Sequence, residues 1–322
     1  MRYVFIINPR AGKRNPQKWF FPRIETFFAA HEIPYRVRVT EYAGHATEIV
    51  REEAAQGESI RVIAVGGDGT LREVACGAAG FPHVEVGLLP CGSGNDYLRS
   101  YGVKEDFLDP ERLVGGQAYP VDMIESDYLP ALNLCSVGID SQVAMDMVRY
   151  KNLPLVSGSM AYNIALLKAF LGNIGVQMKV VVDGGKHVFS GRYLLAVAAV
   201  GGFYGGGYCA SPASVVDDGL LDIVLVRVPK SRLQIPRLLE IYKRGEHIGH
   251  PKFQNLLTYV RGKNVVIESE QPAAVNSDGE CAARHESSFS IRPAAVRFIV
   301  PQDIQPPCIS GKGKCRNPAF LT

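Results

Sequence analysis

Short apolar runs alternate with amphipathic stretches through the first third of the chain. Residues 3–7 form a buried-strand pattern that closes on Asn8, Pro9 and Gly12, and residues 17–30 carry apolar side chains at helical spacing. The cycle repeats, with strands expected at 35–39, 60–65 and 84–89 and helices at 46–56 and 71–79. Strands that alternate with helices predict a parallel α/β sheet with helices on both faces.

After Tyr119 the texture changes. β-rich runs at 177–182, 192–200, 221–226 and 265–268 are separated by glycine, proline and Asp-Gly turns, and helical patterns persist only near 159–171 and 233–244. This half reads as a mostly antiparallel β domain. The expected division is 1–118 for the α/β domain, 119–305 for the β domain and 306–322 for a loosely ordered tail rich in Pro, Gly and Lys.

A length of 322 residues suits two domains, and a 47% hydrophobic content excludes intrinsic disorder. The formal charge of +3 is too small for a dedicated nucleic-acid binder, so no nucleic-acid partner is expected. Seven cysteines include no CxxC pair, which fits a reducing cytosol better than a disulfide framework or a zinc site. Met1 leads straight into a strand pattern without the features of a signal peptide, and the longest apolar stretch, near 193–203, is too short to span a membrane. A cytoplasmic protein, soluble or peripheral at the membrane, is expected.

The sharpest chemical signal is GGDGT at 66–70, between a buried strand and a helix. Open parallel sheets bind ligands beyond the carboxyl ends of their strands. Gly66, Gly67 and Gly69 permit unusual torsions and bring N–H groups close to phosphate oxygens at a helix N-terminus, while Asp68 suggests a bridging Mg²⁺ and Thr70 an N-cap. Alone, the motif is as often an ordinary βα turn. A second loop, PCGSGND at 90–96, follows the next strand and again holds glycines, a hydroxyl and an acid, so the two would line one crevice. NPRAGK at 8–13 is a third loop of this kind. Neither GxxxxGK[ST] nor a GxGxxG opening the first helix is present, which argues against a P-loop NTPase and a dinucleotide-binding Rossmann unit.

NPRAGK, GGDGT with Glu73-Val74, and VGLLPCGSGNDYLR together resemble the diacylglycerol kinase catalytic family, which includes bacterial lipid kinases and the sphingosine and ceramide kinases. The resemblance continues with NLCSVGID at 133–140, GGG at 205–207, SPA at 211–213, DDGLLD at 217–222 and DGE at 278–280, and so covers residues 1–300. It implies a nucleotide domain similar to phosphofructokinase and NAD kinase, followed by a β-sandwich. It further implies ATP contacts at Asn8, Thr40, Gly66, Gly67, Asp68, Gly69, Thr70, Leu71, Arg72, Gly92, Ser93, Gly94 and Asn95, and a catalytic Mg²⁺ network at Asp68 and Asp96. A separate structural metal would fall on Asp218 with the carbonyls of Val215 and Leu220, and Glu280 matches the family's general base. Without the resemblance, Asp278-Gly279 reads as a type I′ hairpin turn and Asp217-Asp218-Gly219 as a simple turn.

Three positions depart from the family pattern: Arg72 and Ser93 where Asn and Thr are usual, and Val200 where Asn is common. The last puts substrate recognition in question. The expected function is an ATP- and Mg²⁺-dependent kinase acting on a hydroxyl of a membrane lipid, diacylglycerol first, with an NAD kinase or a non-catalytic lipid or nucleotide sensor as rivals. The basic stretch 227–263 suits a transient membrane contact or a solvated helix face, and Phe170, Leu171, Phe203 and Tyr204 suit an acyl groove or the core. A homodimer is compatible with the sequence.

Overall fold

The computed structural model describes residues 1–12, 15–102, 104–151, 160, 164–165, 167–169, 172 and 174–304. The first third contains β1 (Arg2–Ile7), α1 (Pro16–Trp19), α2 (Phe21–Ala30), β2 (Tyr35–Val39), α3 (His45–Ala54), β3 (Ile60–Gly66), α4 (Asp68–Ala78), β4 (Val84–Pro90) and α5 (Pro110–Val114). The strands pair in parallel in the order β2-β1-β3-β4. Alternation along β1 explains the layers. Val4 and Ile6 pack with Ile49 and Val50 of α3 and Leu71 and Val74 of α4, while Tyr3, Phe5 and Ile7 pack with Phe21, Ile24 and Phe28 of α2.

The expected helix over 17–30 is two helices. Pro22 has no N–H to bond the Lys18 carbonyl, so α1 ends at Trp19 and α2 restarts at Phe21 with the proline in its first turn.

The second half contains β5 (Gln117–Ser126), β6 (Leu134–Gly138), α6 (Ile139–Lys151), β7 (Val176–Val182), β8 (His187–Ala199), β9 (Phe203–Tyr204), β10 (Tyr208–Cys209), β11 (Leu221–Arg227), α7 (Ile235–Lys243), β12 (Leu257–Gly262), β13 (Asn264–Ser277) and β14 (Glu280–Val300). Its ladders are antiparallel throughout the order β12-β11-β8-β6-β13-β14. Of the helix expected over 159–171, the described positions are helical, while Phe170, Leu171 and the tail 306–322 lie outside the described residues.

β14 crosses between the halves. Its first half pairs with β13, its second half with β5, and its end also with β4 in parallel, through Arg297 and Phe298 opposite Glu85 and Val86. One hydrogen-bonded sheet therefore runs through the molecule. The expected division at 118/119 falls inside β5, where Pro120 stands opposite Arg297.

Candidate active site

Asn8, Thr40, Gly67 and Cys91 follow the carboxyl ends of the four parallel strands, where an open sheet leaves its crevice. The loops are knitted together. Asn8 N–H donates to Val65 O at 3.0 Å and its Nδ2 to Thr70 Oγ1 at 3.2 Å, while Thr40 N–H donates to Ile7 O at 2.9 Å. Gly66 O accepts from Cys91 N at 2.7 Å and from Gly92 N at 3.0 Å.

The glycines serve close approach and not unusual torsion. Gly66, Gly67 and Gly69 all keep negative φ, and Gly67 is extended at φ −110 and ψ −166. A Cβ on Gly92 would lie 2.4 Å from Gly67 Cα, and one on Gly66 2.3 Å from Thr70 Oγ1. Gly67, not Thr70, is the N-cap, so α4 begins three residues earlier than the pattern 71–79 suggests.

Asp68 and Asp96 converge on Gly94: a Cβ there would lie 3.1 Å from Asp68 Oδ2 and 3.2 Å from Asp96 Oδ2. Burial pushes the Asp68 carboxyl above its ordinary value, the Tyr97 N–H at 3.2 Å opposes that shift, and the charge of Asp96 adds to it. Asp96 Oδ1 pairs with Arg99 Nε at 2.9 Å, and its Oδ2 accepts from Gly206 N at 2.7 Å. Two crowded acids beside exposed backbone fit a cation that takes its other ligands from phosphate and water, the usual habit of Mg²⁺. Asn95 is buried with φ 50 and Ser93 is exposed on the same loop.

Two expected nucleotide contacts point elsewhere. Leu71 is buried in the core and its N–H is spent on Gly67 O at 3.0 Å. Arg72 is buried, and its charge is one of the lesser influences that oppose the upward push of burial on the Asp278 carboxyl.

Asp278 and Gly279, at φ 44 and 97, form a two-residue hairpin turn with Ser277 opposite Glu280. The Asp278 carboxylate turns inward and accepts from the N–H groups of Leu132 at 2.6 Å and Leu134 at 3.0 Å. Glu280 stays exposed beside Tyr128, and among the described residues it has no hydrogen-bonded or ion-paired partner. The position expected for a structural metal already holds a cationic side chain: Asp218 Oδ2 pairs with Arg261 Nη2, and Asp218 Oδ1 accepts from Leu220 N–H at 3.1 Å.

A cavity of about 310 Å³ opens in the second half between α6, β8, the β9–β10 ribbon and α7. Val143, Met147, Leu194 and Leu238 are among its apolar walls, and Asp140 and Asn276 are polar points in it. Burial raises the Asp140 carboxyl against nearby hydroxyls, and among the described residues its Oδ2 is buried without a hydrogen-bond partner. The ribbon links cavity to crevice: Tyr204 and Gly205 line the cavity, and Gly206 holds Asp96. The sequence singled out Tyr204 but not Asp140, although the latter closes NLCSVGID.

Residues 2–126 match the family model "Diacylglycerol kinase catalytic domain", and residues 133–300 match "YegS C-terminal NAD kinase beta sandwich-like domain". The chain is 27% identical to a protein of Staphylococcus carnosus named "Diacylglycerol kinase" over 94% of this chain and 96% of the relative. It is 30% identical to a Pseudomonas aeruginosa protein named "Probable lipid kinase YegS-like", over 82% and 84% of the two chains. A crystal structure of a diacylglycerol kinase from Bacillus anthracis str. Sterne shares the fold with a TM-score of 0.65 at 21% identity, covering 94% of this chain and 97% of that one. The two family models between them span most of the described chain, which therefore belongs to the diacylglycerol kinase catalytic family as a diacylglycerol kinase-like lipid kinase.

Proposed function

We propose that the chain transfers the γ-phosphoryl group of ATP to a hydroxyl of a membrane lipid, with diacylglycerol the first candidate because the Staphylococcus carnosus relative is named for it. The observation that carries this reading is the ribbon that joins an apolar cavity to a paired-acid crevice. N–H groups at the start of α4 (68–70) and at Ser93 and Gly94 orient the phosphates, and Asp68 and Asp96 are the groups that would hold Mg²⁺. That ion supplies charge neutralisation at the phosphate oxygens when bound. The cavity takes acyl chain, and the free Asp140 Oδ2 accepts a hydrogen bond from the polar end of the lipid. Glu280 accepts the proton of the attacking hydroxyl.

Transient contact with a membrane surface is supported by Leu233, which is 85% exposed two residues before the cavity-lining Ile235, and by Arg237 on the next turn. Among the described residues no helix is long and apolar enough to cross a membrane.

The test is phosphate transfer from labelled ATP to mixed vesicles presenting diacylglycerol, ceramide, sphingosine or phosphatidylglycerol in turn, with NAD as a separate acceptor. Labelled lipid is expected. Labelled NADP with no labelled lipid overturns the reading. Ala144→Phe, which fills the cavity, is expected to raise the lipid KM about tenfold or more while leaving that of ATP unchanged, since each buried CH₂ contributes about 0.8 kcal/mol. Glu280→Gln is expected to lower kcat by ~10²- to 10⁴-fold at unchanged ATP affinity.

A further inference from the structure

Arg261 stands directly opposite Asp222 across the β11–β12 ladder. From there its Nε donates to Asp222 Oδ1 at 3.1 Å and its Nη2 donates to Asp218 Oδ2 in the turn before β11. Asp222 is fully buried and also accepts from the Tyr259 hydroxyl. Tyr259 lies two residues before Arg261 and so on the same face of β12. Strand register alone brings a guanidinium and a phenol to one buried carboxylate.

Of the remaining oxygens of this corner three meet backbone donors, while Asp222 Oδ2 is buried with no hydrogen-bond partner among the described residues. Asp218 Oδ1 accepts from Leu220 N, and the two oxygens of Asp122 accept from Gly219 N at 2.7 Å and Ala294 N at 2.8 Å. Burial pushes the carboxyls of Asp122 and Asp222 up, and the nearby charges of Asp217 and Asp218 push Asp122 further. A divalent ion held by Asp218 would have to displace Arg261, whose Nη2 already occupies Asp218 Oδ2. Arginine suits the place because its planar fork reaches two carboxylates at once and stays charged at any working pH.

We propose that the Arg261 guanidinium is the built-in counter-ion of Asp218 and Asp222, standing in place of the structural cation implied by the Asp218, Val215 and Leu220 pattern, so that the second half of the molecule folds without a divalent ion. Among the described residues no hydrogen bond or ion pair joins Arg261, Asp218 or Asp222 to the crevice or the cavity, so the corner's behaviour is independent of which lipid is phosphorylated.

Thermal melting of the full chain tests this, with no nucleotide or lipid and with Asp68→Asn present throughout to remove the crevice as a source of Mg²⁺ effects. Chelator, Mg²⁺ and Ca²⁺ are compared at ionic strength matched with NaCl. With Arg261 intact, the three midpoints are expected to coincide. Arg261→Met is expected to melt about 5 °C lower, because a buried acid is left unpaired, and to recover part of that loss on adding Mg²⁺. Arg261→Lys, which keeps the charge, is expected to lie between the two and to show no gain from Mg²⁺. A rise in midpoint with Mg²⁺ while Arg261 is intact overturns the inference, as does an Arg261→Met protein that melts with its parent. Should Arg261→Met fail to fold, the titration of the Arg261 protein still decides, since any divalent-dependent rise there is sufficient to reject the counter-ion role.

Discussion

Asp278 shows how one side chain can serve two structural levels. Its backbone makes a tight turn, which the Asp-Gly pair announces, while its carboxylate holds a segment more than a hundred residues upstream. Burial pushes this carboxyl up to about 6, against the donors at Leu134 and Leu132 and the nearby Arg72. The unfolded value is about 4, so between those two pH values the native state binds more proton than the unfolded chain, and this group's contribution to stability falls as pH rises. His247 has the opposite sign. Buried with Nε2 on Ala210 O at 3.0 Å, it is lowered to about 4 from an unfolded value of about 6.5, so its contribution rises with pH over that window. The two nearly offset in the wild type. Asp278→Asn removes only the falling component, and urea midpoints at pH 4, 5 and 6 are expected to climb more steeply in the variant, by up to about 1.4 kcal/mol per pH unit. Parallel profiles would show that the Asp278 carboxyl titrates alike in both states. The turn was legible because it is local; the grip on Leu132 and Leu134 was not, because no spacing rule relates positions so far apart.

At the scale of elements, β1, β3 and β4 were legible because each is covered on both faces and apolar along most of its length, whereas the edge strand β2 showed itself by alternation of Tyr35, Val37 and Val39 with Arg36 and Arg38. β14 was not legible. Much of it is half-exposed, it carries Arg284, His285 and Glu286 in a row, and a register shift near Pro293 breaks its periodicity. The two glycine loops were recognisable as motifs, but their mutual contact was not, and that contact grades their glycines. A Cβ on Gly92 meets the Gly67 backbone at 2.4 Å, whereas one on Gly69 meets nothing within 4 Å. Gly92→Ala is therefore expected to force the loops apart and weaken ATP binding at least tenfold, which corresponds to a loss of about 1.4 kcal/mol. Gly69→Ala, inside α4, is expected to bind ATP as the wild type does and to gain slightly in melting temperature. Calorimetric titration of both variants checks the order. Equal losses at the two positions would mean that the loops need glycine for torsion after all.

At the scale of the molecule, composition and texture indicated two halves, and β14 fastens them into one sheet. The fastening has a centre. Phe298, near the end of β14, packs its ring edge-on to Tyr97 at 5.1 Å and also meets Tyr101 at 5.1 Å and Phe107 at 6.5 Å. Tyr97 in turn donates its N–H to Asp68, so the last strand of the chain supports the first crevice acid through one ring and one hydrogen bond. A fragment of residues 1–126 lacks this strand, which uncovers the edge of β4 and empties the site filled by Phe298. The full chain is expected to unfold in one calorimetric transition and the fragment to show none of its own. Phe298→Ala is expected to cost about 3–5 kcal/mol of stability and, because Tyr97 loses its packing, to lower phosphoryl transfer below what the remaining folded fraction accounts for. Activity measured against folded fraction over a urea series separates the two effects. If activity tracks the folded fraction alone, Phe298 holds the halves together without positioning Asp68; if the fragment melts cooperatively by itself, β14 is an addition to a self-sufficient first domain.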